Sequence, residues 1–141
     1  DLARAGVALY SVIASKPLPP GADTAERFLH IDGGMGDNIR PALYSARYTA
    51  LLANRANAPG EEHVHIAGRY CESGDILLRD IHLPRAAPGD ILALATAGAY
   101  TLSMASAYNL VPRPAVLLLS EGEERIIQRR ETYADLAARD M

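Results

Sequence analysis

The sequence predicts a mainly β domain, a sandwich or Greek-key barrel with short helices. Three observations carry this. Apolar runs of strand length recur along the chain. Clusters rich in Gly and Pro separate them. Neither an alternating βαβ rhythm nor an internal repeat is present. A length of 141 residues fits one domain, and 49% hydrophobic with 22% charged residues is the balance of a chain that folds around a core.

The elements follow in order. Residues 6–15, GVALYSVIAS, are apolar and β-branched, and predict a strand. Residues 16–23, with three prolines, break it. Residues 26–32 alternate, with Phe28, His30 and Asp32 on one face and Arg27, Leu29 and Ile31 on the other, so a second strand is expected. Gly33, Gly34 and Gly36 make residues 33–38 a tight loop. After a turn at 58–62, residues 63–69 alternate as a strand, and residues 75–80 suit a short one. Residues 84–90 form a loop, 91–96 a buried strand, and 99–108 have helix-compatible spacing. Residues 115–119 and 125–128 pair as a hairpin around Glu121–Gly122. A terminal helix over 132–139 opens on Thr132 with Asp135 three residues on, the spacing of a capping box.

Composition excludes several classes of function. Fourteen basic against 17 acidic side chains give a net charge of −3, which argues against a nucleic-acid partner. A single cysteine, Cys71, excludes an internal disulfide and a multi-cysteine zinc site. No apolar run approaches the roughly 20 residues that span a bilayer, so no membrane partner is expected. The opening residues DLARAGVALYSV carry both charges and no small-residue cleavage site, unlike a signal peptide. The chain starts without Met, and a fragment or processed piece is expected. The implied setting is a reducing compartment, the cytoplasm.

Three groups of residues could carry chemistry. In Tyr70-Cys71-Glu72-Ser73-Gly74-Asp75, a thiol and a carboxylate follow a strand. The thiol could donate a proton and Glu72 could bind an ammonium group; alternatively, Cys71 is a small buried hydrophobe. In the second group, the glycine loop leads into Arg40 and Tyr44. On a helical turn these share one face and could clamp a carboxylate, or they could be surface residues of an ordinary turn. This loop lacks the GxGxxG spacing of a phosphate-binding fingerprint. Third, Tyr100 follows Gly98 after a buried strand, where it could face a phosphate or a cofactor ring, or serve as a core or cap aromatic. His63 and His65 share a strand face, but with no third ligand in view solvated histidines are expected and no metal is assigned. Arg129-Arg130-Glu131 reads as a solvated charge cluster.

Six segments in register, DGGMGDNIRPALY (32–44), AGRYCESGD (67–75), LPRAAPGD (83–90), AGAYTLSMASAYN (97–109), RPAVLL (113–118) and RRETYADL (129–136), give a highly specific resemblance. Their order and spacing resemble the C-terminal part of the diaminopimelate decarboxylase family, from about Gly6 to Asp140. These are pyridoxal-phosphate enzymes related to alanine racemase and ornithine decarboxylase. The resemblance implies a C-terminal β domain, an N-terminal TIM-type barrel that lies outside these 141 residues and bears the Schiff-base lysine, and a homodimer whose sites are shared between subunits. It implies Cys71 as proton donor, Glu72 as substrate-binding carboxylate, Arg40 and Tyr44 as the clamp on the distal carboxylate of meso-diaminopimelate, and Tyr100 in contact with both cofactor and substrate. Lys16 stands outside every matched segment, so these residues alone are not expected to decarboxylate anything. A decarboxylase of another basic amino acid and a non-catalytic binding domain remain as competing readings.

Overall fold

A computed structural model describes residues 2–141. After a short helical turn α1 (Leu2–Ala5), eight strands follow: β1 (Ala8–Pro17), β2 (Arg27–Ile31), β3 (Ala50–Leu52), β4 (Glu62–Ala67), β5 (Ile76–Leu83), β6 (Ile91–Leu94), β7 (Val116–Ser120) and β8 (Glu123–Gln128). Helix α2 (Arg40–Tyr44) lies between β2 and β3. Helices α3 (Thr101–Met104) and α4 (Tyr133–Ala137) come later. The expected mainly β class holds. The first six strands form a nearly closed, barrel-like sheet in the order β3-β6-β1-β2-β4-β5, and β7 and β8 form a separate hairpin.

Strand β1 is the corner on which the sheet folds. Its first half, Ala8–Ser11, pairs antiparallel with β6; its second half, from Val12, pairs antiparallel with β2. The register shifts between Val12 and Ala14, and such a bulge lets one strand serve two sheets. Strand β2 then pairs in parallel with β4, and β4 antiparallel with β5. The predicted alternation of β2 appears as burial: Leu29 and Ile31 face the core while Phe28 and His30 are half-buried. Tyr10, Val12, Leu52, Val64, Ile66, Leu83, Leu92 and Leu94 complete most of that core.

Three elements differ from expectation. Strand β3, only three residues long, falls in a stretch without alternation, and β5 runs beyond Asp80 to Leu83. The helix expected over 99–108 shrinks to Thr101–Met104 plus a 3₁₀ turn at Tyr108–Leu110. Tyr100, Asn109 and Leu110 take positive φ, which an α-helix cannot accommodate. The hairpin of β7 and β8 turns at Glu121 and Gly122 as expected, with φ of 53° and 82°. Leu117, Leu118, Leu119, Ile126 and Ile127 on it are exposed. No helix among the described residues is long and apolar enough to cross a membrane.

Candidate active site

Two loops at one end of the sheet are joined by a buried carboxylate. The loop after β2 closes on the carbonyl of Gly34, which accepts from the N–H groups of Asp37 at 3.0 Å and Asn38 at 3.1 Å. The loop after β4 carries Cys71 and Glu72. Asp75 binds both loops: one carboxylate oxygen accepts from Met35 N at 2.7 Å and the other from Tyr70 N at 2.8 Å. Arg69 N adds a bond to the Gly33 carbonyl at 2.9 Å. A glycine is required at 68, because a Cβ there would lie 2.2 Å from Asp75 Oδ2. Asp37 Oδ2 accepts from Gly34 N at 2.9 Å. Burial raises the carboxyl groups of Asp37 and Asp75 above the ordinary range.

The first loop leads directly into α2. Asn38 is buried, and its Oδ1 accepts from Arg40 N at 3.3 Å. Pro41 stands in the first turn, where its missing N–H costs nothing. Ser45 ends the helix in the left-handed region and returns its N–H to the Pro41 carbonyl at 3.1 Å. One turn of helix therefore places Arg40 and Tyr44 on one face, as their spacing predicts. The guanidinium carbon lies 5.5 Å from the Tyr44 ring centre and 5.2 Å from that of Tyr100. Both rings are largely exposed, Tyr44 at 61% and Tyr100 at 66%, so neither is a core aromatic.

Residues 97–110 run along this end and link the two loops. Tyr100 meets Arg40, Ser106 N donates to the Gly36 carbonyl at 2.9 Å, and the Tyr108 hydroxyl donates to Glu72 Oε1. The Tyr108 ring lies 5.8 Å from that of Tyr70. Donation to Glu72 holds the Tyr108 phenol above its ordinary pKa. Helix α2 lies beside the Cys71 loop, close enough that a Cβ on Gly74 would stand 3.8 Å from Ala42 Cβ. Cys71 is exposed, which removes the reading of it as a buried hydrophobe. The structure thus gathers Arg40, Tyr44 and Tyr100 into one cluster, and sets Cys71 and Glu72 on the adjoining loop. Sequence reasoning assigned no role to Tyr108, Asp37 or Asp75. Tyr108 lies inside the AGAYTLSMASAYN segment, but the expected helix concealed the turn that delivers it.

The strand histidines diverge. His63 is half-buried; its Nδ1 donates to the Thr24 carbonyl at 3.0 Å and its ring stacks on His82 at 4.5 Å. His65 is buried, which corrects the expectation of a solvated side chain. The cause is a bulge in β5: Val64 pairs with Ile81 and Ile66 with Leu78, so Arg79 and Asp80 together oppose His65. Asp80 takes a φ of 53°, and its N–H donates to His65 Nδ1 at 3.1 Å. The proton therefore sits on Nε2, 3.1 Å from Asp23 Oδ2. That hydrogen bond is the main reason why Asp23 is lowered to about 2. Asp23, His65 and Asp80 bring ligand-type atoms within 4.8 Å of one another. A cation on Nε2, however, would demand an imidazolate ring while Nδ1 accepts the backbone N–H. The geometry is that of an Asp–His staple.

Arg129 and Glu131, expected to be simply solvated, are paired. Arg129 makes two bonds of 2.6 Å to Asp135, and Glu131 binds Arg113.

At one end, this barrel-like sheet displays a thiol, a carboxylate and a guanidinium close to two aromatic rings. The chain belongs to the family of pyridoxal-dependent decarboxylases, as their C-terminal sheet domain; the family model matches residues 4–98. It is 47% identical over 137 residues to diaminopimelate decarboxylase of Bacillus subtilis, covering 97% of this chain and 30% of that one. The crystal structure of diaminopimelate decarboxylase from M. jannaschii in co-complex with L-lysine superposes with a TM-score of 0.88 at 40% identity, over 99% of this chain and 30% of that one. That of the Helicobacter pylori enzyme complexed with L-lysine gives 0.83 at 34%, over 97% and 32%. The chain therefore spans about a third of the length of the relatives it matches.

Proposed function

We propose that this domain works as part of a diaminopimelate decarboxylase, which converts meso-2,6-diaminopimelate to L-lysine and carbon dioxide. The observation that carries the reading is the display of opposite charges on neighbouring elements with a thiol: Arg40 on α2, close to the Tyr44 and Tyr100 rings, and Glu72 next to the exposed Cys71 on the loop beside α2. The substrate has an amino-acid group at each end. The end that does not react carries a carboxylate and an ammonium, and Arg40 with Tyr44 suits the first while Glu72 suits the second. Substrates of ornithine-type enzymes lack that distal carboxylate and have no use for the clamp.

Residues of this chain fit one side of a bound pyridoxal phosphate. Tyr100 offers an exposed ring and hydroxyl, and Cys71 an exposed thiol. When bound, the cofactor supplies the electron sink for loss of carbon dioxide. Cys71 then places a proton on the carbon that has lost its carboxylate, as general acid. The family resemblance implies that the lysine that holds the cofactor lies in a barrel domain; Lys16 of this chain is exposed and pairs with Phe28, at the end of β2 remote from the glycine loop. The site is completed between the subunits of a homodimer in the cytoplasm.

The test is carbon dioxide release by the full-length decarboxylase carrying this domain, supplied with meso-diaminopimelate, L-lysine or L-ornithine. Turnover of meso-diaminopimelate alone is expected. Preference for L-lysine or L-ornithine would assign the domain to a sister enzyme, and no turnover of any of the three would favour a binding module.

A further inference from the structure

We infer that Tyr108 is a positioning residue for substrate recognition: its hydroxyl fixes the Glu72 carboxylate so that the other oxygen is left to receive the distal ammonium group. The inference rests on the reading of Glu72 given above.

Glu72 lies on an exposed loop, where a free glutamate samples many rotamers and loses that freedom when it binds. Tyr108 removes much of this loss in advance. Its hydroxyl donates to Oε1, and Oε2 has no partner among the described residues. The phenol itself is held from behind by the ring of Tyr70, 5.8 Å away and buried. The turn beneath it is not a relaxed one. Asn109 and Leu110 take φ of 54° and 57°, a left-handed pair that non-glycine residues rarely adopt in succession. Ser106 N, bound to the Gly36 carbonyl at 2.9 Å, tethers the same segment to the loop that leads into Arg40. The aromatic donor is thus anchored to both loops of the site. Because a tyrosine hydroxyl donates without carrying charge, it orients the carboxylate and leaves the negative charge available for the ammonium.

L-Lysine retains the distal α-ammonium and α-carboxylate of the substrate; 6-aminohexanoate is the same molecule without that ammonium. Calorimetric titration of the full-length holoenzyme with each ligand separates the groups. The wild type is expected to prefer L-lysine. Tyr108→Phe keeps the ring contact with Tyr70 and loses only the hydroxyl. It should bind L-lysine about tenfold more weakly, with 6-aminohexanoate affinity unchanged. The KM for meso-diaminopimelate should rise while kcat is largely kept. In a Glu72→Gln background, adding Tyr108→Phe should weaken L-lysine binding far less than it does alone. Unchanged L-lysine affinity in Tyr108→Phe overturns the inference, as does an equal loss for both ligands, which would mark a purely structural role. A wild type that does not discriminate between the two ligands overturns the reading of Glu72, and the inference with it.

Discussion

The guanidinium carbon of Arg40 lies 5.2 Å from the centre of the Tyr100 ring, although sixty residues of chain separate the two. The Tyr44 ring centre lies 5.5 Å away, so two aromatic faces restrain Arg40 and orient its planar fork. Arg40→Ala should therefore raise the KM for meso-diaminopimelate by about 10–100-fold, the range of a lost charge-assisted hydrogen bond. Arg40→Lys keeps the charge but not the planar fork, and should fall between. Steady-state kinetics decide, and an unchanged KM in Arg40→Ala would remove the clamp.

Gly36 lies against Tyr70, and a Cβ built there would stand 2.1 Å from the hydroxyl oxygen and 2.5 Å from Cζ. Gly36→Ala should destabilise the domain by about 1–3 kcal/mol, the usual range for overpacking. Urea unfolding measures it. Stability equal to wild type would mean that the loop can lift away from Tyr70.

Asp37 gives a pH signature. Burial is the main cause of its raised carboxyl, with Asp32 and Asp75 adding to it and Arg69 opposing. The native state then binds this proton more tightly than the unfolded chain does. Stability is lost as pH rises from the ordinary carboxylate range through the raised value, and stays lower above it. Asp37→Asn can still accept from Gly34 N and carries no charge. Its Tm should exceed that of wild type by a few degrees at neutral pH, and the gain should close as pH falls to about 4. A gain of the same size at both ends would show that charge burial is not its source.

Much of this architecture was legible in the sequence where local chemistry decides it. The alternation of β2 reappears in its burial pattern, Glu121–Gly122 marked the hairpin, and Thr132 with Asp135 marked the capping box. The pairing of Arg40 with Tyr44 followed from one turn of helix. What local pattern could not supply was long-range. Strand β3 exists because Leu51 and Leu52 find β6, and His65 is buried because β5 bulges opposite it. Tyr108 meets Glu72 from a 3₁₀ turn in which residues 109 and 110 are left-handed, and no side-chain periodicity announces that.

The capping box at α4 gives a local check. The Thr132 side chain accepts from Asp135 N, and Asp135 in turn accepts from Thr132 N. Thr132→Ala should cost about 1 kcal/mol, concentrated in α4. Amide hydrogen exchange at Asp135 and Leu136 should accelerate, while protection in β1 and β4 is unchanged. Unaltered exchange in α4 would show that packing, not the cap, holds that helix.

Cys71 is proposed to act in a site completed by a second subunit, and mixing subunits puts that proposal to the test. Take the full-length decarboxylase in two inactive forms, one lacking its cofactor-binding lysine and the other carrying Cys71→Ala. In a mixed dimer with shared sites, one site collects both defects and the other none. After subunit exchange, activity should return to as much as roughly a quarter of wild type, because about half the dimers are mixed and half of their sites intact. No recovery, with native mass spectrometry showing that mixed dimers formed, would contradict the claim.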